Sequence, residues 1–238
     1  EKADPGRLLK RMIARSGEPV IRKAFNQAMR IMGRQFVMGR TIDEAAERAK
    51  ANEEKGYRYS YDMLGEAART MEDADRYYKA YEDAINDIGR VANGRGPIDS
   101  PGISVKLSAI HPRYDFANYD RVMNELTPRL KQLALLAKKY DIGFTVDAEE
   151  ANRLDLSLDV IGAVFADPEL DGWEGYGLAV QAYQKRAYYV LEWLADLSVK
   201  VGRKMMVRLV KGAYWDTEVK FSQENGFEGY PCFTRKAS

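Results

Sequence analysis

Apolar residues along the chain follow two spacings, one helical and one strand-like, and the change between them falls near residue 56. From Pro5 to about Lys55 the spacing is helical, with Ile21, Phe25, Ala28, Met29 and Met32 three and four residues apart. Thr41 precedes "IDEAAERAKANEEK", whose acids fall in the first turn, so the pattern predicts a helix start there. Residues 1–55 are therefore expected to form an N-terminal helical arm. After Gly56, strand-like runs occupy residues 57–64, 103–110, 142–150, 176–183 and 204–212. Helical stretches follow at 71–90, 118–140, 151–165 and 184–200, and the turn-rich "NGRGPIDSPG" covers 93–102.

Strands that alternate with helices build a parallel sheet, either open and doubly wound or closed as an eight-stranded barrel. No glycine fingerprint for a dinucleotide or a phosphate loop follows any of these strands, so the expectation is a (βα)8, TIM-like barrel over residues 56–238. About five β/α units are present, which leaves the barrel incomplete within this chain.

Side-chain parity along the strands carries the candidate chemistry. In "ISVKLSAI" Ile103, Val105 and Leu107 oppose Ser104, Lys106 and Ser108, and in "FTVDAEE" Phe144, Val146 and Ala148 oppose Thr145, Asp147 and Glu149. In "YGLAVQAY" Gly177, Ala179 and Gln181 share a face, and in "MMVRLVKG" Met206, Arg208 and Val210 do. Lys106, Asp147, Gln181 and Arg208 are thus expected on the barrel interior, in the later halves of their strands, where such barrels place their chemistry. The alternative is an ion-pair network that only closes the barrel. Gly212 suits either close approach to a ligand or an ordinary turn, and Tyr214 and Trp215 suit either a planar cofactor or the core.

Composition narrows the classes. The formal net charge is +1, which advertises no general affinity for nucleic acid or membrane, although residues 1–40 hold ten Lys or Arg against three Asp or Glu. The single cysteine, Cys232, excludes an internal disulfide, and the single histidine, His111, cannot build a multi-histidine metal site. No apolar run reaches the roughly 20 residues of a membrane span.

The stretches "YSYDMLGEAA", "PGISVKLSAIHPRY", "DAEE", "VQAYQKR", "RLVKGAYWD" and "EGYPCFTRK", in this order, resemble the proline dehydrogenase domain of the bifunctional proline utilization A flavoenzymes. The resemblance runs from about residue 30 to the end. It implies a distorted (βα)8 barrel that holds FAD, oxidises L-proline to Δ1-pyrroline-5-carboxylate and passes electrons to a membrane quinone. By resemblance, Lys106 and Asp147 line the proline site, Arg208 lies beside flavin N5, and Gln181 contacts the isoalloxazine. Val210, Lys211, Gly212, Ala213 and Trp215 fall where the family wraps FAD, Tyr214 lies near the active site, and Glu66 matches an acid that gates it. The family's paired arginines for the substrate carboxylate are expected beyond residue 238, as is a tyrosine that packs on the proline ring. The resemblance further implies a longer parent chain with an aldehyde dehydrogenase domain that uses NAD. It implies a homo-oligomer in the cytoplasm, peripherally associated with the inner membrane. No nucleic acid is assigned to this segment, and any DNA-binding module is expected outside it.

Two other readings compete. A barrel lysine near an aspartate also serves Schiff-base aldolases. A fragment with a basic arm could act only as a docking piece.

Overall fold

The computed structural model describes residues 37–63, 65 and 67–235, together with 18–19, 22–23, 25–29 and 31–33. Its contacts divide the chain into two compact units, residues 1–55 and 56–238. In the first unit Phe25, Ala28, Met29 and Met32 are helical, whereas Ile21 lies outside the described residues. The helix expected after Thr41 is α1, Ile42–Glu53. Thr41 has extended backbone, and its side chain accepts from the Glu44 N–H at 3.2 Å, which satisfies one of the free donors at the helix start. Glu44 reaches back to the Arg40 N–H at 3.1 Å.

The second unit opens with β1, Ser60–Asp62, and α2, Met71–Ala92. Next come β2, Gly102–Val105, the short α3, Leu107–Ile110, and α4, Tyr119–Lys139. Then follow β3, Phe144–Val146, α5, Leu154–Phe165, and β4, Tyr176–Gln181. The last elements are α6, Ala187–Val201, β5, Met206–Val210, and α7, Trp215–Glu224. All five strands pair in parallel in the order β1-β2-β3-β4-β5. That order is the one expected of successive right-handed β/α units.

The helices pack by the faces their spacing provides. On α2, Tyr81, Ala84, Ile85, Ile88 and Ala92 are buried at three- and four-residue steps, and Thr70 with Asp73 forms a capping box at its start. On α4, Val122, Leu126, Leu130, Leu133 and Ala137 make the equivalent stripe. Behind the middle of the sheet, Tyr176 stacks on Phe144 and Phe165 with centroids 6.0 and 6.1 Å apart. Burying such rings contributes about 1.5–3 kcal/mol each.

All five strands are shorter than the predicted runs. The run 103–110 does not continue as a strand, because the chain leaves the sheet at Val105 and winds into α3. All four residues of α3 are buried, so either conformation suits the segment and its burial pattern does not separate them. The Lys106 N–H turns to the Tyr81 hydroxyl at 3.2 Å instead of a neighbouring strand. Ser108 therefore leaves the strand face. Likewise β3 ends at Val146, although the Asp147 N–H still donates to Val105 C=O at 2.9 Å.

Candidate active site

Lys106 follows directly on β2, and its ammonium donates to Asp62 of β1 at 2.7 Å and to Asp147, just past β3, at 3.1 Å. Arg208, in the middle of β5, donates through Nη2 to the other oxygen of Asp147 and through Nη1 to the Ser104 hydroxyl of β2 at 2.9 Å. Ser104 in turn meets Ser60 of β1 at 3.1 Å. Side chains from four strands or their exits thus close a ring across the concave face of the sheet. The reach from β5 to β2 requires that the sheet curl, as a barrel wall does.

The electrostatics follow from that geometry. Burial works against the charge of Lys106, but hydrogen bonds and attraction from Asp62 and Asp147 outweigh it and hold its pKa above the ordinary lysine range. Lys106 is therefore an ammonium throughout the physiological range. Burial pushes the Tyr81 hydroxyl up to about 12, so it stays neutral where it receives the Lys106 N–H. The ring contains two cations and two carboxylates and sums to zero charge.

Gln181 closes β4 and is buried, with both ends of its amide in use. It donates to Glu149 C=O at 2.9 Å and accepts the Ala213 N–H at 2.9 Å. The amide fixes the exit of β3 to the exit of β5. Glu149 itself is buried, accepts the Ser108 N–H at 3.0 Å and lies 3.2 Å from Arg153, and burial raises its pKa. Glu218 of α7 accepts the Ala151 N–H at 2.6 Å, and burial raises its pKa too.

The segment after β5 folds over this end. Val210 C=O accepts the Ala182 N–H at 2.8 Å, and Lys211 C=O the Tyr183 N–H at 3.0 Å. The Lys211 and Ala213 side chains are exposed, and Tyr214 is half-buried. Trp215 is 42% exposed and donates its indole N–H to Phe233 C=O at 3.0 Å. Gly212 has a φ of +130°, and a Cβ there would meet the Tyr183 ring at 2.0 Å, so close packing requires glycine. Glu66 lies outside the described residues.

Three of the four face residues read from strand parity, Lys106, Asp147 and Arg208, therefore meet, while Gln181 serves the backbone. Parity reasoning missed Asp62, although "YSYD" carries the signal, since Ser60 and Asp62 share one face of the first strand. Glu218 left no local signal, because its partner is 67 residues away.

Residues 45–238 match the family model described as proline dehydrogenase. The chain belongs to the proline dehydrogenase family. Residues 1–36 match a second model, described as the DNA-binding domain of proline dehydrogenase. That match corrects the expectation that any such module lies outside this segment. Among relatives of this proline dehydrogenase family member, the Bifunctional protein PutA of Klebsiella aerogenes is 58% identical over 97% of the chain and 18% of the relative. A crystal structure of Bradyrhizobium japonicum Proline Utilization A, mutant D778Y, aligns over 95% of the chain and 23% of that chain with a TM-score of 0.80 and 57% identity. The Bdellovibrio bacteriovorus Proline Utilization A inactivated by N-propargylglycine aligns over 92% of the chain and 24% of that chain, with TM-score 0.85 and 25% identity. The chain thus spans about a fifth of the length of the curated relatives named here.

Proposed function

We propose that this chain contributes the first part of a proline dehydrogenase active site, in which L-proline is oxidised with FAD to Δ1-pyrroline-5-carboxylate. The observation that carries this reading is the meeting of Lys106, Asp147 and Arg208 at the carboxyl end of the sheet, within a segment that matches the proline dehydrogenase family.

Lys106 remains charged and offers an ammonium to the proline carboxylate. Asp147 holds Lys106 and Arg208 in fixed relation, so neither cation has to be ordered when substrate arrives. Oxidation removes a hydride from C5 and a proton from the ring nitrogen, leaving the C5=N bond of the product. Either proline enters with its amine already deprotonated or the proton passes to water. Bound flavin supplies the two-electron acceptor for that hydride.

The residues present suit such a cofactor. The exposed ammonium of Lys211 suits a phosphate, the partly exposed indole of Trp215 suits a planar ring, and the Arg208 guanidinium suits developing negative charge. Gln181, Val210, Gly212 and Ala213 complete this set, with Tyr214 beside it. Electrons then pass to a membrane quinone. The parent chain adds the aldehyde dehydrogenase domain with NAD and a homo-oligomeric assembly in the cytoplasm, peripherally at the inner membrane.

A Schiff-base role fails on charge. An amine nucleophile must shed its proton, and two carboxylates keep the proton on Lys106.

An anaerobic visible spectrum of the parent protein, before and after L-proline, tests the reading. Flavin bands that bleach are the expected result. A colourless protein, or bands that ignore proline, would overturn it.

A further inference from the structure

Lys106 is held at both ends. Its ammonium donates to Asp62 and Asp147, and its backbone stands where β2 has just lost both neighbouring strands. Pairing with β1 ends at Asp62 and Ser104, and pairing with β3 ends at Val105 and Val146, so neither register reaches Lys106. The Lys106 C=O accepts the Ala109 N–H at 3.2 Å as α3 begins, and the Lys106 N–H donates to the Tyr81 hydroxyl at 3.2 Å. Tyr81 is 1% exposed, belongs to α2 and makes no ion pair itself. Among the described residues it is thus the side chain that receives this backbone N–H where the sheet no longer does.

An ammonium has three N–H donors. Two are directed at Asp62 and Asp147, so the third points along a line fixed by those two bonds and by the direction of the Lys106 stem. The stem starts from a backbone of extended conformation, φ −98° and ψ 128°, whose N–H is anchored on Tyr81. Without the hydroxyl that N–H has no acceptor in a buried place, and the backbone must shift to find one. The stem then starts in another direction, and the third donor turns with it.

We propose that Tyr81 is a positioning residue for the substrate carboxylate and acts through Lys106. Its hydroxyl holds the backbone from which the stem starts and thereby aims the third N–H at the carboxylate of L-proline. This rests on the reading of Lys106 as a substrate contact. The carboxylate takes no part in the bond changes at C5 and nitrogen, so its contact is the same before and during hydride transfer. Weakening such a contact lowers affinity and leaves the limiting rate unchanged.

The test uses the full parent protein with its flavin bound, mixed rapidly with L-proline without oxygen. The dependence of flavin bleaching on proline concentration gives an apparent Kd and a limiting rate. Tyr81→Phe is expected to raise the Kd about fivefold, the scale of one net hydrogen bond, at an unchanged limiting rate. In a Lys106→Met background the same change is expected to add nothing, because the group it aims is gone. An unchanged Kd in Tyr81→Phe overturns the proposal. An equal rise in both backgrounds marks a packing effect and overturns it too, as does a loss confined to the limiting rate. Should the Tyr81→Phe protein lose its flavin, 3-fluorotyrosine at position 81 keeps the ring and hydroxyl and weakens the acceptor. It is expected to raise the Kd by a smaller factor, and no rise overturns the proposal. If proline does not bleach the parent protein, the functional reading falls and this inference with it. If Lys106→Met raises the Kd and the Tyr81 variants do not, this inference falls alone.

Discussion

Arg208 and Asp147 are separated in the sheet by the whole of β4, yet the guanidinium of one bonds the carboxylate of the other. The bond crosses the concave face, and Asp147 hands its second oxygen to Lys106. A single carboxylate thereby sets the spacing of both cations.

Arg208→Met removes the cation nearest the proposed flavin site and leaves Asp147 with one partner. The expected outcome is a lower flavin content or a reduction rate about 100-fold slower, the usual scale for losing one preorganised donor. The ratio of flavin to protein absorbance and rapid-mixing reduction by proline check this. If both are normal, Arg208 has been misplaced.

Lys106→Ala deletes the ammonium and leaves Asp62 and Asp147 facing each other without it. The KM for L-proline should rise about tenfold or more, the scale of a charge-assisted hydrogen bond. Steady-state kinetics with proline provide the check. An unchanged KM removes Lys106 from the substrate pocket.

Gly212→Ala forces a Cβ into the Tyr183 ring at a φ of +130°. The folded state should lose about 1–3 kcal/mol, the cost of holding a side chain in that region of backbone space. Thermal unfolding reads this as a lower Tm, and Gly212→Ala at the parent Tm would mean that the Tyr183 ring turns aside freely.

Burial raises the pKa of both Glu149 and Glu218 in the folded chain. The folded state then holds protons that the unfolded state has released. Their contribution to stability is fully present below the ordinary glutamate pKa and is lost as pH rises through the raised values. Stability should fall across that window, and Glu149→Gln should flatten the fall. Denaturant unfolding at several pH values measures the slope, and an identical slope in the variant would exclude Glu149 as its source.

The sheet was legible in the sequence because Val, Ile and Phe at two-residue spacing, followed by long helical stripes, leave few arrangements open. Lys106, Asp147 and Arg208 were legible for the same reason, since a charge on the polar parity of a buried strand has to find a partner. Gln181 was expected on the interior face, but nothing local reveals that its two ends would tie Glu149 to Ala213. The end of the second strand was hidden, because Leu107–Ile110 is buried at every position and the turn depends on Tyr81 from a helix 25 residues away. Asp62 was missed because its strand is only three residues long, too short for alternation to stand out.

The chain of ion pairs from Asp62 through Lys106 and Asp147 to Arg208 also determines how substitutions combine. Each corner compensates a neighbour, so the first change leaves a charge unmatched, while a second change beside it removes the mismatch. Losses measured singly will therefore sum to more than the loss of an adjacent pair together. A lineage that alters one corner is expected to tolerate it only once an adjacent corner has changed as well.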